Sequence, residues 1–176
     1  MKILKVGFLF SSFCVLSLVF LFLVKDKITP GYTSNSLEDL DPNFRLKVEL
    51  VTERLEGQGY SFRISETFRS QERQDFIYSF YERLSKKIGL DIRITSTRVS
   101  RHSRTIDGKP AACAIDLRPV GLYSIKKRAD FYIALRYESV AIGLRSGANF
   151  ERKGYIYGRF GLGYDPGHIS DSCSRT

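Results

Sequence analysis

The longest apolar run in the chain lies near its N-terminus, where residues 6–24 include no charged side chain. At about 1.5 Å per helical residue, this run spans roughly 28 Å, close to a bilayer core of about 30 Å. The run ends without the small-residue cleavage site of a removed signal peptide. We therefore predict an uncleaved signal anchor over residues 1–27. A tether over residues 28–40 would follow, with the rest of the chain outside the cytoplasm.

Three later segments have apolar residues at helical spacing, and the first two each have a residue that can cap the start of the helix. The first helix follows Asp41, an N-cap, places Pro42 at its first position and stops at Gly57. Ser70 can cap the second helix, and the third covers residues 124–142. The predicted buried faces are Phe44, Val48, Val51 and Leu55, then Phe76, Phe80, Leu84 and Ile88, and finally Phe131, Leu135 and Ile142.

Strand patterns lie between and after these helices. Apolar and polar residues alternate over residues 60–66 and 90–97, and residues 111–117 form a short apolar run. The glycine- and tyrosine-rich residues 154–167 are typical of a hairpin or a long loop. Short strands interspersed with helices predict an α+β fold, in which helices pack on a small antiparallel or mixed sheet. We place this single domain at residues 41–176.

The chain is basic, with 28 Lys and Arg against 19 Asp and Glu. Residues 1–28 contribute +3 of the net charge of +9, which leaves +6 on the remainder. A basic exported domain suits an anionic polymer such as cell wall, lipid head groups or nucleic acid, but a merely soluble basic face has the same composition. Three Cys and two His exclude a cysteine-rich zinc framework and a site of three histidines. Any metal site here therefore needs a carboxylate or a Cys ligand.

Both histidines and one aspartate occupy suggestive positions. His102 follows a predicted strand, Asp116 closes an apolar run, and His168 follows the turn sequence Asp-Pro-Gly at residues 165–167. Taken singly, a histidine is more often a surface or hydrogen-bonded residue than a ligand. Asp116 is either a sheet-edge residue facing water or a ligand at a strand end, and Asp-Pro-Gly is also an ordinary turn. The residues become informative only as a set.

As a set, S-x-H at residues 100–102, A-x-D at 114–116 and D-x-x-H at 165–168 resemble the signature of the clan MD zinc peptidases. These are the D-alanyl-D-alanine carboxypeptidases and dipeptidases of the VanY and VanX type and the phage L-alanyl-D-glutamate endolysins. An upstream R-S-x-x-x-Q at 69–74 and the opening L-D-P-N-F-R at 40–45 are also similar to that family. The domain-wide pattern looks closer to the endolysins and the VanY-like enzymes than to the VanX dipeptidases.

The spacing departs from the family pattern S-x-H-x-x-G-x-A-x-D. His102 and Asp116 are fourteen positions apart, where the short form of the motif has seven, and Ala112 stands at the usual Gly. The additional residues, around 104–110, resemble a loop inserted between two ligands.

The resemblance implies a zinc ion held by His102, Asp116 and His168, with a fourth position left for water. It further implies that Asp165 is the general base and acid and that Arg69 stabilises the oxyanion.

Two weaker implications concern substrate binding. With Arg69, Gln74 would contact the substrate backbone or carboxylate, and Ser100 would orient the first ligand through a hydrogen bond. Glu66 is close enough in sequence to pair with Arg69 and receives no catalytic role.

The function that this resemblance implies is a zinc metallopeptidase that hydrolyses the peptidoglycan stem peptide at an L-Ala-D-Glu or a D-Ala-D-Ala bond. One alternative is a catalytically silent peptidoglycan-binding module of the same fold, motivated by the altered Gly position and the inserted loop. A nucleic-acid-binding domain is suggested only by charge and has no recognisable motif, so we expect no nucleic-acid partner.

Cys113 and Cys173 flank two of the proposed ligands in sequence. In an oxidising compartment they could form a disulfide that ties the tail to the sheet, whereas a buried free Cys113 is the simpler alternative.

Overall fold

The computed structural model of the protein describes residues 30–89, 95, 97–121, 124–150 and 160–173. All of these except Pro30 belong to one unit, Gly31–Thr176. The predicted anchor, most of the predicted strand over 90–97 and the first part of the segment 154–167 lie outside the described residues. No helix within the described part of the chain is both long and apolar enough to cross a membrane.

Three α-helices lie within one residue or so of their predicted positions. They are α1, Pro42–Gly57, α2, Gln71–Ile88, and α3, Ile125–Ala141. An N-cap side chain fixes the start of each helix by accepting a hydrogen bond from a backbone N–H group of the first turn. These N-caps are Asp41, Ser70 and Ser124.

Eight short strands are present among the described residues. They are β1 Thr33–Ser34, β2 Phe62–Glu66, β3 Phe68–Arg69, β4 Thr105–Ile106, β5 Lys109–Pro110, β6 Ala114–Pro119, β7 Arg145–Ser146 and β8 His168–Ser170. The central sheet has the strand order β2–β6–β8–β7, and β1 pairs with β3 and β4 with β5 in two-stranded ribbons. All these pairings are antiparallel. The prediction of an α+β fold with a small antiparallel sheet is confirmed.

Part of the predicted tether is packed on the domain. Thr33 pairs with Arg69 through β1 and β3, and the carbonyl of Ser34 accepts a hydrogen bond from the backbone N–H of Thr67 at 2.7 Å. Leu40 is 3% exposed and belongs to the hydrophobic core. The folded region therefore begins before residue 41.

One face of the central sheet forms the core and the other carries polar chemistry. Successive residues of a strand point to opposite faces, so Ile115 and Leu117 are fully buried while Asp116 and Arg118 lie on the opposite face. The core combines the apolar side of this sheet with α1 and α3. Its helical members include the predicted residues Phe44, Val48, Val51, Leu55, Phe131 and Leu135.

The face predicted for α2 is partly wrong. Phe80 and Ile88 are 43% and 46% exposed, and the buried side chains of this helix are Gln74 and Ile77. α2 is turned so that the Gln74 amide oxygen accepts a hydrogen bond from Arg69 at 2.6 Å. A buried amide requires such partners. Polar contacts, as well as the spacing of the apolar residues, therefore determine the orientation of this helix.

The insertion between His102 and Asp116 folds as a hairpin of β4 and β5. Its two central residues, Asp107 and Gly108, have φ angles of 49° and 74°, as a type I′ turn requires. At its base, the carbonyl of Arg104 accepts a hydrogen bond from the backbone N–H of Ala111 at 2.9 Å. The extra residues thus form a closed hairpin that returns the chain to β6.

Gly147 permits a close approach between two loops that support the site. A Cβ atom at this position would lie 2.1 Å from the carbonyl oxygen of Asp165 and 2.9 Å from Cβ of His168. Both contacts are shorter than side chains normally allow, so the turn at residues 165–168 can occupy its position only against glycine.

We expect Gly147→Ala to destabilise the domain by about 1–3 kcal/mol, because the added methyl group forces the Asp165 backbone to move. Gly57→Ala is the matched control, since no heavy atom lies within 4 Å of its added methyl group. Gly57 is the last residue of α1, so we expect that change to leave the free energy of unfolding equal or slightly higher. Urea unfolding measures both effects. Equal stability of Gly147→Ala and the wild type would contradict the close packing.

Cys113 and Cys173 form a disulfide, with Cα atoms 6.1 Å apart and a sequence separation of 60. The pairing hypothesis is therefore confirmed over a free Cys113. The bond attaches the chain after β8 to the residue that precedes β6.

Thiol titration of the denatured, non-reduced full chain is expected to find one free thiol of the three cysteines, that of Cys14. Replacing Cys113 and Cys173 together by Ala should lower the free energy of unfolding by about 2–4 kcal/mol, because the unfolded chain gains freedom. Three reactive thiols in oxidised protein would disprove the pairing.

Candidate metal centre

Two candidate ligands lie side by side because of the pairing register of the central sheet. Asp116 in β6 is the direct partner of His168 in β8. Side chains of directly paired residues share one face of the sheet. Here they meet with Nδ1 of His168 2.9 Å from Oδ1 of Asp116.

His102 reaches the same place from a short 3-10 turn, Arg101–Ser103. The hydroxyl of Ser100 accepts a hydrogen bond from the backbone N–H of His102 at 3.2 Å. The carbonyl of Arg101 accepts one from the N–H of Cys113 at 2.9 Å, which attaches the turn to the chain that enters β6. The resulting position buries His102, which is 4% exposed.

The carbonyl group of Thr67 fixes the tautomer of His102. Nδ1 of this ring lies 2.8 Å from the Thr67 oxygen. Because a carbonyl can only accept, Nδ1 carries the hydrogen and Nε2 keeps its lone pair. Metal-ligating histidines usually donate their second ring N–H to such a partner.

The three donor atoms that face one another have the spacing of metal ligands. Nε2 of His102 lies 3.5 Å from Oδ1 of Asp116 and 3.3 Å from Nδ1 of His168, and the last two atoms are 2.9 Å apart. Neighbouring ligands of a tetrahedral zinc ion, at bond lengths of about 2.0–2.1 Å, are roughly 3.3 Å apart. The donor set therefore fits a divalent cation with one coordination position left open.

A second group of possible ligands cannot hold a metal ion in this form of the protein. Asp41, Cys113 and Cys173 bring their ligand atoms together, but the disulfide removes both thiolates. Within the described part of the chain, the cluster of His102, Asp116 and His168 is therefore the candidate metal site.

Electrostatic interactions within the cluster favour positive charge. Burial disfavours the ionised carboxylate of Asp116, but His102 and His168 outweigh this effect and hold the pKa of Asp116 well below its usual value. Burial also disfavours protonated His102, yet the charges of Asp116 and Glu66 raise the pKa of His102 above its ordinary value. The cluster is therefore suited to bind protons or a cation.

Asp165 lies next to the cluster, at the start of the turn before β8. Its backbone carbonyl accepts a hydrogen bond from the N–H of His168 at 3.1 Å. Burial and the nearby charge of Asp116 raise the pKa of Asp165, against the opposing influence of His168, His102 and Arg118. A carboxyl group with a raised pKa accepts a proton more readily than an ordinary aspartate does.

Arg69 is held between two side chains next to His102. Its Nη2 lies 2.6 Å from Oε1 of Glu66, and its Nη1 donates to Oε1 of Gln74. The same Glu66 oxygen lies 3.8 Å from Nδ1 of His102. Glu66 thereby links the guanidinium group of Arg69 to the metal-ligand cluster.

Gln74 is fully buried and hydrogen-bonds to three neighbouring residues. Its amide nitrogen donates to the hydroxyl of Thr95 at 3.0 Å and to the carbonyl of Thr97. Its amide oxygen accepts from Arg69. In the described structure, Gln74 therefore positions Arg69.

The sequence indicated that Glu66 could pair with Arg69, as it does, but not that Glu66 also lies near His102 or that the Thr67 carbonyl contacts this ring. A register shift in the pairing of β2 with β6 places Glu66 opposite Asp116. No side-chain pattern signals such a bulge. Thr67 acts through its backbone carbonyl, so the identity of its side chain gives no signal either.

No protein-family description matches this chain, and no curated protein matches it. Solved structures that are similar to it include two peptidases. The first is the L-Ala D-Glu endopeptidase ChiX of Serratia marcescens, at 18% identity and a TM-score of 0.45, covering 84% of this chain and 93% of that one. The second is the vancomycin-resistance D,D-dipeptidase VanXYg in complex with a D-Ala-D-Ala phosphinate analogue. It has 19% identity and a TM-score of 0.43, with 74% of this chain and 49% of that chain covered.

Both similar structures are peptidases of kinds that the motif resemblance names. Their similarity to this chain is distant, so the case for a metal centre rests on the donor atoms described above.

Proposed function

We propose that this protein is a zinc-dependent peptidase that cleaves the peptide stem of peptidoglycan. The observation that carries the proposal is the convergence of two imidazole nitrogens and one carboxylate oxygen at separations of 2.9–3.5 Å. Two imidazoles and a carboxylate with an open fourth position are the ligand set of a catalytic zinc ion rather than a structural one.

In this proposal His102, Asp116 and His168 hold the metal ion. When bound, zinc supplies Lewis acidity, which polarises a peptide carbonyl and acidifies water. Thr67 keeps the proton of His102 on Nδ1, so that Nε2 remains available for the ion.

Asp165 is the general base and acid of the proposed reaction. Its carboxylate accepts a proton from the attacking water and returns it to the amine of the leaving peptide. The raised pKa of Asp165 matches this task, because the carboxylate then holds the proton more readily than an ordinary aspartate.

Arg69 stabilises the negative charge that develops on the carbonyl oxygen during attack. Its ion pair with Glu66 and its hydrogen bond with Gln74 restrict the guanidinium group before substrate arrives. Such preorganisation lowers the cost of orienting the charge in the transition state. Ser100 supports the site through the backbone of His102.

The proposed location is the periplasm or the cell-wall side of the membrane. The apolar residues 6–24 and the absence of a cleavage motif support an anchored protein with its catalytic domain outside the cytoplasm. Peptidoglycan stem peptides lie in that compartment, and the disulfide between Cys113 and Cys173 fits an oxidising environment.

The zinc content of the purified full chain tests the site. We expect about one zinc per chain, and a loss of affinity of at least tenfold for His102→Ala and Asp116→Asn, because each change removes one ligand. Asp107→Asn is the matched control, since Asp107 lies in the β4–β5 hairpin and asparagine tolerates its positive φ. Zinc binding that is equal in all four proteins would contradict the assigned ligands.

Digestion of purified peptidoglycan tests the reaction. We expect Asp165→Asn to retain zinc but to lose activity by about 10²–10⁴-fold, because the proton carrier is removed. Mass spectrometry of the products identifies the bond, since a carboxypeptidase releases free D-Ala and an L-Ala-D-Glu endopeptidase releases larger stem fragments. A zinc-loaded wild type that binds peptidoglycan without releasing fragments would instead indicate a silent binding module.

A further inference from the structure

A cleft beside the metal-ligand cluster contains three arginines. It has a volume of about 370 Å³ and lies between β2, β6, α3 and the turn at residues 165–167. Arg63, Arg118 and Arg128 line it together with the acidic residues Asp116 and Asp165. Because Asp116 also belongs to the cluster, a molecule in this cleft lies next to the proposed reaction centre.

Two of the arginines are directly opposite each other in the sheet. Arg63 of β2 pairs with Arg118 of β6, and both are exposed. Like charges that face each other across an antiparallel pair are unfavourable. Strand alternation places Arg118 on the same face as Asp116, two residues earlier in β6. The charge repulsion therefore occurs on the side of the sheet that carries the candidate site.

Within the described residues, the acids of the cleft offset its positive charges only in part. There, no hydrogen bond or ion pair involves the guanidinium groups of Arg63, Arg118 or Arg128. Asp116 is in contact with the two histidines. Asp165 is the remaining acid, and Arg118 opposes the rise in its pKa. The cleft therefore has three cationic and two acidic side chains, and one of the acids, Asp116, is in contact with the two histidines. The excess positive charge attracts an anion.

We propose that Arg63, Arg118 and Arg128 form a subsite for a free carboxylate of the peptide substrate, close to the bond that is cut. This inference rests on the proposed peptidase function. Guanidinium groups suit carboxylates because they offer two parallel N–H donors. A bound carboxylate would relieve the repulsion between Arg63 and Arg118 and would hold the peptide at a fixed distance from the metal-ligand cluster.

Three synthetic stem peptides test the subsite: L-Ala-γ-D-Glu-L-Lys-D-Ala-D-Ala, the same peptide with the D-Glu α-carboxylate amidated, and the same peptide with an amidated C-terminus. Calorimetry measures their dissociation constants for the zinc-loaded full chain carrying Asp165→Asn, which prevents consumption of the peptide. We expect one of the two amidations to weaken binding roughly tenfold, since it removes a charge-assisted contact.

Three further variants each add one substitution to the Asp165→Asn chain: Arg63→Gln, Arg118→Gln or Arg128→Gln. Each should weaken binding of the parent peptide by about the same factor. These variants should also abolish the difference between the parent and the sensitive amide. Arg83→Gln is the matched control, because Arg83 is exposed on α2 and hydrogen-bonds within its own helix. It should leave all three dissociation constants unchanged.

The subsite is rejected if neither amidation weakens binding or if the discrimination persists in all three cleft variants. Cleavage by the chain with Asp165 intact is measured separately. Carboxylate-dependent binding without cleavage would reject the proposed peptidase function and support the subsite. Cleavage with equal affinity for all three peptides would support the peptidase function and reject the subsite.

Discussion

The pairing of β6 with β8 is the constraint on which the candidate site depends. It places Asp116 directly opposite His168, and a slip of either strand by one residue would turn that strand's candidate ligand into the core. Ile115, Leu117 and Ile169, all fully buried, oppose such a slip because it would expose them to water. Hydrophobic burial on one face of the sheet thereby holds the polar cluster on the other.

The position of His102 depends on this sheet, although His102 itself lies outside the sheet. Its turn is attached through the N–H of Cys113, and Cys113 is bonded to Cys173 beyond β8. The disulfide and the two ligand-bearing strands therefore form one unit around the cluster. The hairpin of β4 and β5 lengthens the chain between the first two ligands. It does not disturb this attachment, because the two ends of the hairpin lie next to each other.

Local patterns in the sequence predicted the three described helices and the α+β class of the fold. Caps such as Asp41 and Ser70 are local signals, whereas a resemblance to the clan MD zinc peptidases, carried by the order of short motifs, pointed to His102, Asp116 and His168. Non-local features were not predictable in this way. The orientation of α2 follows from the hydrogen bond of Gln74 with Arg69, and the position of Glu66 follows from a bulge. The Arg63–Arg118 pair appears only once the register of β2 with β6 is known.

We propose that two imidazoles and one carboxylate bind a single divalent cation. X-ray absorption spectroscopy of the zinc-loaded full chain tests it most directly, because the spectrum reports the atoms bound to the metal. We predict only nitrogen and oxygen neighbours at about 2.0–2.2 Å, with the outer-shell scattering of two imidazole rings. A sulfur neighbour at about 2.3 Å, or a spectrum without imidazole scattering, would contradict it.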